Sequence, residues 1–185
     1  MPGPPVAIDG SGPDAIVALH AGVERVTRRL HVVHAARLQC RQGCSSCCVD
    51  DLTVFDVEAA QIRLHHAELL ASGVPHAVGA CAFLDETGSC RIYAERPYVC
   101  RTQGLPLRWS EDGDEGPIER RDICPLNEAG DPIEQLAADD CWTIGPVEER
   151  LALLQIAAGP GPHRMRLRDL FVTAQPTIEH VVPRT

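Results

Sequence analysis

The chain has 185 residues, enough for one domain with a core of useful size, yet aromatics make up only 4% of it. The formal net charge is −9 and every one of the 17 basic residues is Arg; such a balance excludes nucleic acid as a partner, because affinity for phosphate backbones comes from basic clusters. No apolar run approaches membrane-spanning length, and Met1–Pro5 lacks the basic and apolar segments of a secretory signal, so no membrane partner is expected and the reading places the chain in the cytoplasm.

Residues 1–13 carry four prolines and three glycines and read as a disordered tail. From Asp14 to Leu38, Ile16, Leu19, Val23, Val26, Leu30 and Val33 recur at near-helical spacing, with Asp14 as N-cap. Arg25, Arg28, Arg29 and Arg37 fall on or beside the opposite, solvated face. The helix delivers the chain to Cys40. A second helical pattern runs from Thr53 to Leu70, with Asp56 and Glu58 in its first turns and Ser72-Gly73 at its end. His65 and His66 on it read as solvent-facing. Asp85 to Gly88 reads as a turn, and Arg91 to Arg96 as one or two helical turns closed by Pro97. Glu111 to Pro117 reads as an exposed acidic loop without the spacing of an EF-hand. Pro146 starts a helix reaching Ala158, with Leu151, Leu154 and Ile156 available for burial, and His163 to Val172 reads as a short helix. Strand signals are few. The expected fold is therefore mainly α: a small, helical, loop-rich single domain over 14–175, followed by an irregular tail, 176–185.

Nine cysteines dominate the chemistry. Cys40, Cys44, Cys47 and Cys48 lie within nine residues; Cys81, Cys90, Cys100, Cys124 and Cys141 follow. Nine is odd, so internal disulfides cannot pair them all, and structural disulfides are rare in a reducing compartment. Thiolates are strong donors for zinc and for iron–sulfur clusters. Gly43 permits a tight wrap beside Cys44. The side chains of adjacent Cys47 and Cys48 diverge, so distant cysteines must complete each coordination shell. Zinc sites often use two CxxC knuckles, and only Cys44-x-x-Cys47 is present. Three close cysteines plus the remote Cys124-Pro125 suit a cubane cluster, which tilts the reading towards iron–sulfur while zinc stays open. Cys141, next to Trp142, reads equally well as a small buried hydrophobe. The spacing of Cys40, Cys44 and Cys47 also occurs in radical-SAM enzymes, but the chain lacks the length and alternating strands of their barrels. With eight histidines and nine cysteines, nothing in the order singles out a nucleophile pair.

At these residues the chain resembles the YkgJ-type cysteine-cluster family, described as zinc- or iron-chelating proteins with a CxxCxxCC signature. Cys40, Cys44, Cys47 and Cys48 match the opening, although the first gap here is three residues rather than two. Cys81-Ala-Phe-Leu-Asp is similar to a CPFL-type element with Ala82 in place of proline. Cys90-Arg-Ile-Tyr, Arg96-Pro97 and Cys100-Arg101 resemble the family's CxIYxxRPxxCR block, and Cys124 matches a later cysteine. The resemblance covers roughly residues 40–125 and implies metal or iron–sulfur binding. Larger relatives are linked to flagellin lysine methylation, but no residues here carry a methyl-transfer site over. The expected ligands are Cys40, Cys44, Cys47, Cys48, Cys81, Cys90, Cys100 and Cys124. Arg96, Arg101 and Tyr93 are candidates for tuning the site around them; the ordinary alternative is that Arg96 caps a short helix and Tyr93 packs in the core. Three function classes follow. One is a metalloprotein with a structural or redox site acting through an unknown protein partner. Another is an enzyme or enzyme component with an open coordination position. A metal-free thiol redox sensor is the third.

Overall fold

The computed structural model describes residues 13–114, 116–159 and 164–171. Apart from Pro13, both expected tails lie outside the described residues. The first helix, α1 (Pro13–Val33), is amphipathic. Ile16, Leu19, Val23 and Leu30 are buried on one stripe, as their spacing dictates. Asp14 lies in its first turn rather than ahead of it. Arg25, Arg28 and Arg29 are exposed, whereas Arg37 is buried and donates to the Asp131 carbonyl oxygen at 2.6 Å.

The second helical pattern is broken in three. Thr53–Phe55 is a strand, β1, followed by α2 (Asp56–His65) and α3 (Ala67–Ser72). β-Branched Thr53 and Val54 beside Phe55 suit a strand, and a tertiary partner decides the matter. That partner is β5 (Arg164–Arg166), antiparallel in the register Thr53↔Arg166 and Phe55↔Arg164. The expected helix over 163–172 is thus a strand followed by a short 3-10 turn at Leu167–Leu170; His163 and Val172 lie outside the described residues.

Residues 91–96 form turns instead of a helix, and the helix comes after the proline, as α4 (Tyr98–Thr102). Pro97 is its N-cap residue, a position compatible with its fixed φ and missing N–H. The acidic loop is the tip of a hairpin, β2 (Leu107–Gly113) and β3 (Gly116–Asp122). Alternating charge is its sheet signal: Arg108 reaches Glu119 at 2.9 Å, and Arg120 reaches Glu111 at 3.0 Å. β4 (Trp142–Thr143) adds to β2 in parallel. α5 (Pro146–Ala158) starts where its proline predicts, and Glu148 accepts from the Gly145 amide at 2.7 Å. Leu151 and Leu154 are buried, but Ile156 is exposed and Gln155 is buried in its stead, accepting from the Val57 amide.

With 44% helix, 16% strand and two sheets among the described residues, the fold is mixed α/β rather than mainly α. The missed strands are two to seven residues long, and their charged or single-turn patterns carry no period-2 hydrophobic signal. Two apolar cores result. One joins α1 and α5 around Tyr98 and Trp142. The other gathers β1, α2, residues 81–92 and Leu167, Leu170 and Phe171. Among the described residues, no helix is long and apolar enough to cross a membrane.

Candidate metal centre

The Cys40–Cys48 loop is tied to the Cys81–Cys90 turn by backbone. The Cys81 amide donates to the Cys48 carbonyl at 2.9 Å. Asp85 folds its turn by accepting from the amides of Thr87 and Ser89 at 2.8 and 2.9 Å, and the Thr87 hydroxyl holds its carboxyl below the usual range. That turn presses its Gly88 against Gly43. Both have positive φ, 77° and 82°, and a Cβ on Gly88 would stand 3.2 Å from the Gly43 oxygen. An isolated bridge pairs Leu84 with Cys90, so Cys81 and Cys90 are returned to one side. α4 then supplies Cys100. Its first amide, Tyr98 N–H, donates at 2.7 Å to Glu58, a buried carboxylate that also meets His20 at 3.3 Å. Glu58, expected only as a favourable charge in the first turn of its own helix, therefore caps a different one.

Seven cysteines from these segments line one cavity of about 590 Å³: Cys40, Cys44, Cys47, Cys48, Cys81, Cys90 and Cys100. Tyr93, Arg96 and Arg101 line it too. Cys124 does not. Its turn is joined to Cys40 through Asn127, whose amide donates to the Cys124 carbonyl at 2.7 Å and whose Nδ2 lies 3.4 Å from Cys40 Sγ. Cys141 is buried elsewhere, 3.9 Å from Arg121, and burial pushes its thiol up. His65 and His66 are outside the cavity, and His66 meets Glu95 at 2.7 Å.

The lining thiols differ in electrostatics. The Cys48 thiol donates to Cys47, so the pair shares one proton; Cys47 is lowered to about 6 and Cys48 is raised. Burial raises Cys81 and Cys90, and takes Cys100 to about 12. As placed, no three Cys, His, Asp or Glu side chains among the described residues could hold a metal ion together. The donors stand around the cavity wall, and χ1 rotation is the freedom that brings them inward. The donor set fits a soft metal or an iron–sulfur cluster: thiols predominate, and no carboxylate is among the lining residues.

Residues 39–125 match the family model CxxCxxCC, described as a putative zinc- or iron-chelating domain. Comparisons with curated proteins and with solved structures gave no match.

Arg96 and Arg101, two of the cavity-lining arginines, point their hydrogen bonds away from sulfur. Arg101 donates to Glu24 at 2.7 Å and to the carbonyls of Ala94 and Arg96. Arg96 reaches Glu24 at 3.3 Å and stacks over the Tyr93 ring at 3.9 Å. Neither ordinary alternative holds, because Arg96 has no 91–96 helix to cap and Tyr93 is 66% exposed. Two residues around Cys40, Asn127 and Gly104, escaped sequence reasoning. Asn127 is fully buried, accepts from the Gln39 amide at 2.8 Å and donates to the Gly104 carbonyl at 2.8 Å. Gly104 is equally constrained, for a Cβ there would stand 2.6 Å from Cys40 Sγ. Asn127 follows Cys124-Pro125 by two residues, and an Asn just past a Cys-Pro turn was its available signal.

Proposed function

We propose that this protein binds zinc or an iron–sulfur cluster through cysteine thiolates, in a structural or redox role exercised through a protein partner. The observation that carries this reading is the convergence of seven cysteines, from four separate stretches of chain, on one cavity. Cys40, Cys44, Cys47, Cys48, Cys81, Cys90 and Cys100 are the proposed ligands from the wall, and Cys124, which does not line it, is the eighth. An iron–sulfur cluster would supply one-electron chemistry, and zinc would supply cohesion. The chain's own residues position the donors: Glu58 caps the helix bearing Cys100, Asn127 holds Cys40, and Cys47 is already close to its thiolate form at neutral pH. Arg96 and Arg101 set a positive wall beside them. All nine cysteines are free thiols, which supports a cytoplasmic location.

The size of the cavity favours a second reading, an enzyme or enzyme component with an open coordination position. About 590 Å³ falls within the roughly 300–1,000 Å³ of small-molecule sites. Anaerobic purification followed by elemental analysis, acid-labile sulfide assay and a visible spectrum tests the main reading. Iron with sulfide and a brown chromophore establishes a cluster; stoichiometric zinc without a visible band establishes a zinc site. Neither metal, with thiols free or disulfide-bonded, would overturn metal binding altogether. Binding of an exogenous anion to the loaded metal separates the enzyme reading from a closed thiolate site.

A further inference from the structure

One donor on the cavity wall is not a thiol. His31, in the last turn of α1, lies eight residues before the stretch that matches the family model and lines the same cavity as Cys40, Cys44 and Cys100. Its Nδ1 stands 2.7 Å from the backbone oxygen of Thr27, one helical turn back. A carbonyl oxygen only accepts, so Nδ1 must carry the proton. In the neutral ring that leaves Nε2 as a lone pair, and among the described residues nothing bonds to it. The other histidines with recorded partners spend Nε2 differently: His20 on Glu58, His34 on the Asp140 oxygen, His66 on Glu95.

We propose that His31 is a metal ligand through Nε2, completing the thiol set with one imidazole. Metal-ligating histidines characteristically donate the opposite ring N–H to a carboxylate or a backbone carbonyl, which fixes the tautomer and the ring orientation. His31 has that arrangement before any metal arrives. The Thr27 carbonyl also lowers the entropic cost of ligation, because it already restrains the ring. The inference rests on the metal-binding reading.

The test uses the full chain, made metal-free and anaerobic, then titrated with zinc. Ring nitrogens are followed by long-range 1H–15N correlation on the wild type, and affinities are compared for wild type, His31→Ala and His31→Cys. The expected result is a zinc-dependent shift of one Nε2 resonance, absent from His31→Ala. That variant should bind at least one zinc about tenfold or more weakly, and His31→Cys should recover it. Alanine is the best helix former, so α1 should persist, and circular dichroism of the metal-free variants checks it. Zinc bound by the wild type with no Nε2 shift, or with equal affinity in His31→Ala, would overturn the imidazole ligand and leave thiolate binding standing. No zinc bound by the wild type would overturn the His31 ligand and the zinc form of the metal-binding reading.

Discussion

The two apolar cores are built from different material. The first is made by long regular elements: Ile16, Leu19, Val23 and Leu30 of α1 meet Leu151 and Leu154 of α5, closed by Tyr98 and Trp142. The Trp142 indole donates to the Tyr98 hydroxyl at 2.8 Å, so even its polar atoms are satisfied internally. The second is made largely by turns. Phe83, Leu84 and Ile92 lie between cysteines, and Cys48, Cys81 and Cys90 pack into it. One core is cohesive by burial alone, whereas the other shares its volume with donor atoms that burial cannot satisfy. A bound metal would act on one core directly and on the other through α4, which carries both Tyr98 and Cys100, and through the last turn of α1, which carries His31.

The largest effect that can break this comparison is metal removal. Structural zinc contributes about 10–16 kcal/mol of apparent binding energy in small peptides, and a domain with a second core should realise a lower share of that as stability. Chelation should raise amide hydrogen exchange over residues 40–52 and 81–100 while α1 and α5 keep their protection. Uniform loss of protection would mean the two cores form one cooperative unit. Next come two core truncations. Phe83→Ala and Leu19→Ala remove fully buried side chains and should cost about 3–5 and 2–5 kcal/mol respectively. They should differ in a second readout: Phe83 lines the cavity, so its loss should also weaken metal binding, while Leu19→Ala should lower Tm with affinity unchanged. Smaller again is Asn127→Ala. It strands the Gln39 amide and the Gly104 carbonyl, at about 1–3 kcal/mol by denaturant titration. Because Asn127 also touches Cys40, this variant should alter cobalt or zinc affinity more than an equally destabilising change in α5.

The first core was largely legible in the sequence, because α1 and α5 announce themselves by apolar spacing and by Pro146. The cysteines were legible as a clustered residue type, and seven of the nine line one cavity. Its closure was not legible. The contact of Gly43 with Gly88 is backbone on backbone, and no periodicity records it. Glu58 looked like a first-turn charge because its capping partner, Tyr98, is 40 residues away. His31 carried no spacing signal, since a His in the last turn of a helix is ordinarily a solvated cation for the dipole. β2 and β3 were hidden because both faces of the hairpin are largely exposed and cross-strand ion pairs replace the alternation of apolar residues.

The smallest expected effect is a pH dependence that separates the cores once more. Burial holds the Cys100 thiol at about 12, above an ordinary value of 9.0, so the folded chain prefers it neutral. A group raised in this way contributes stability that is fully present below its unfolded value and is lost as pH rises towards its folded one. The metal-free chain should therefore lose about 1 kcal/mol from this thiol alone by pH 10. Cys81 and Cys90, also raised by burial, act in the same direction. Zinc inverts the sign, because ligation displaces the same protons and affinity increases as pH rises. Thermal melts of the metal-free and zinc-loaded chains between pH 7 and pH 10 should consequently diverge. Parallel curves would show that these thiols are not the atoms through which metal and fold are coupled. The unfolding of α1 and α5, whose core holds no cysteine, should then follow the same pH course with or without zinc.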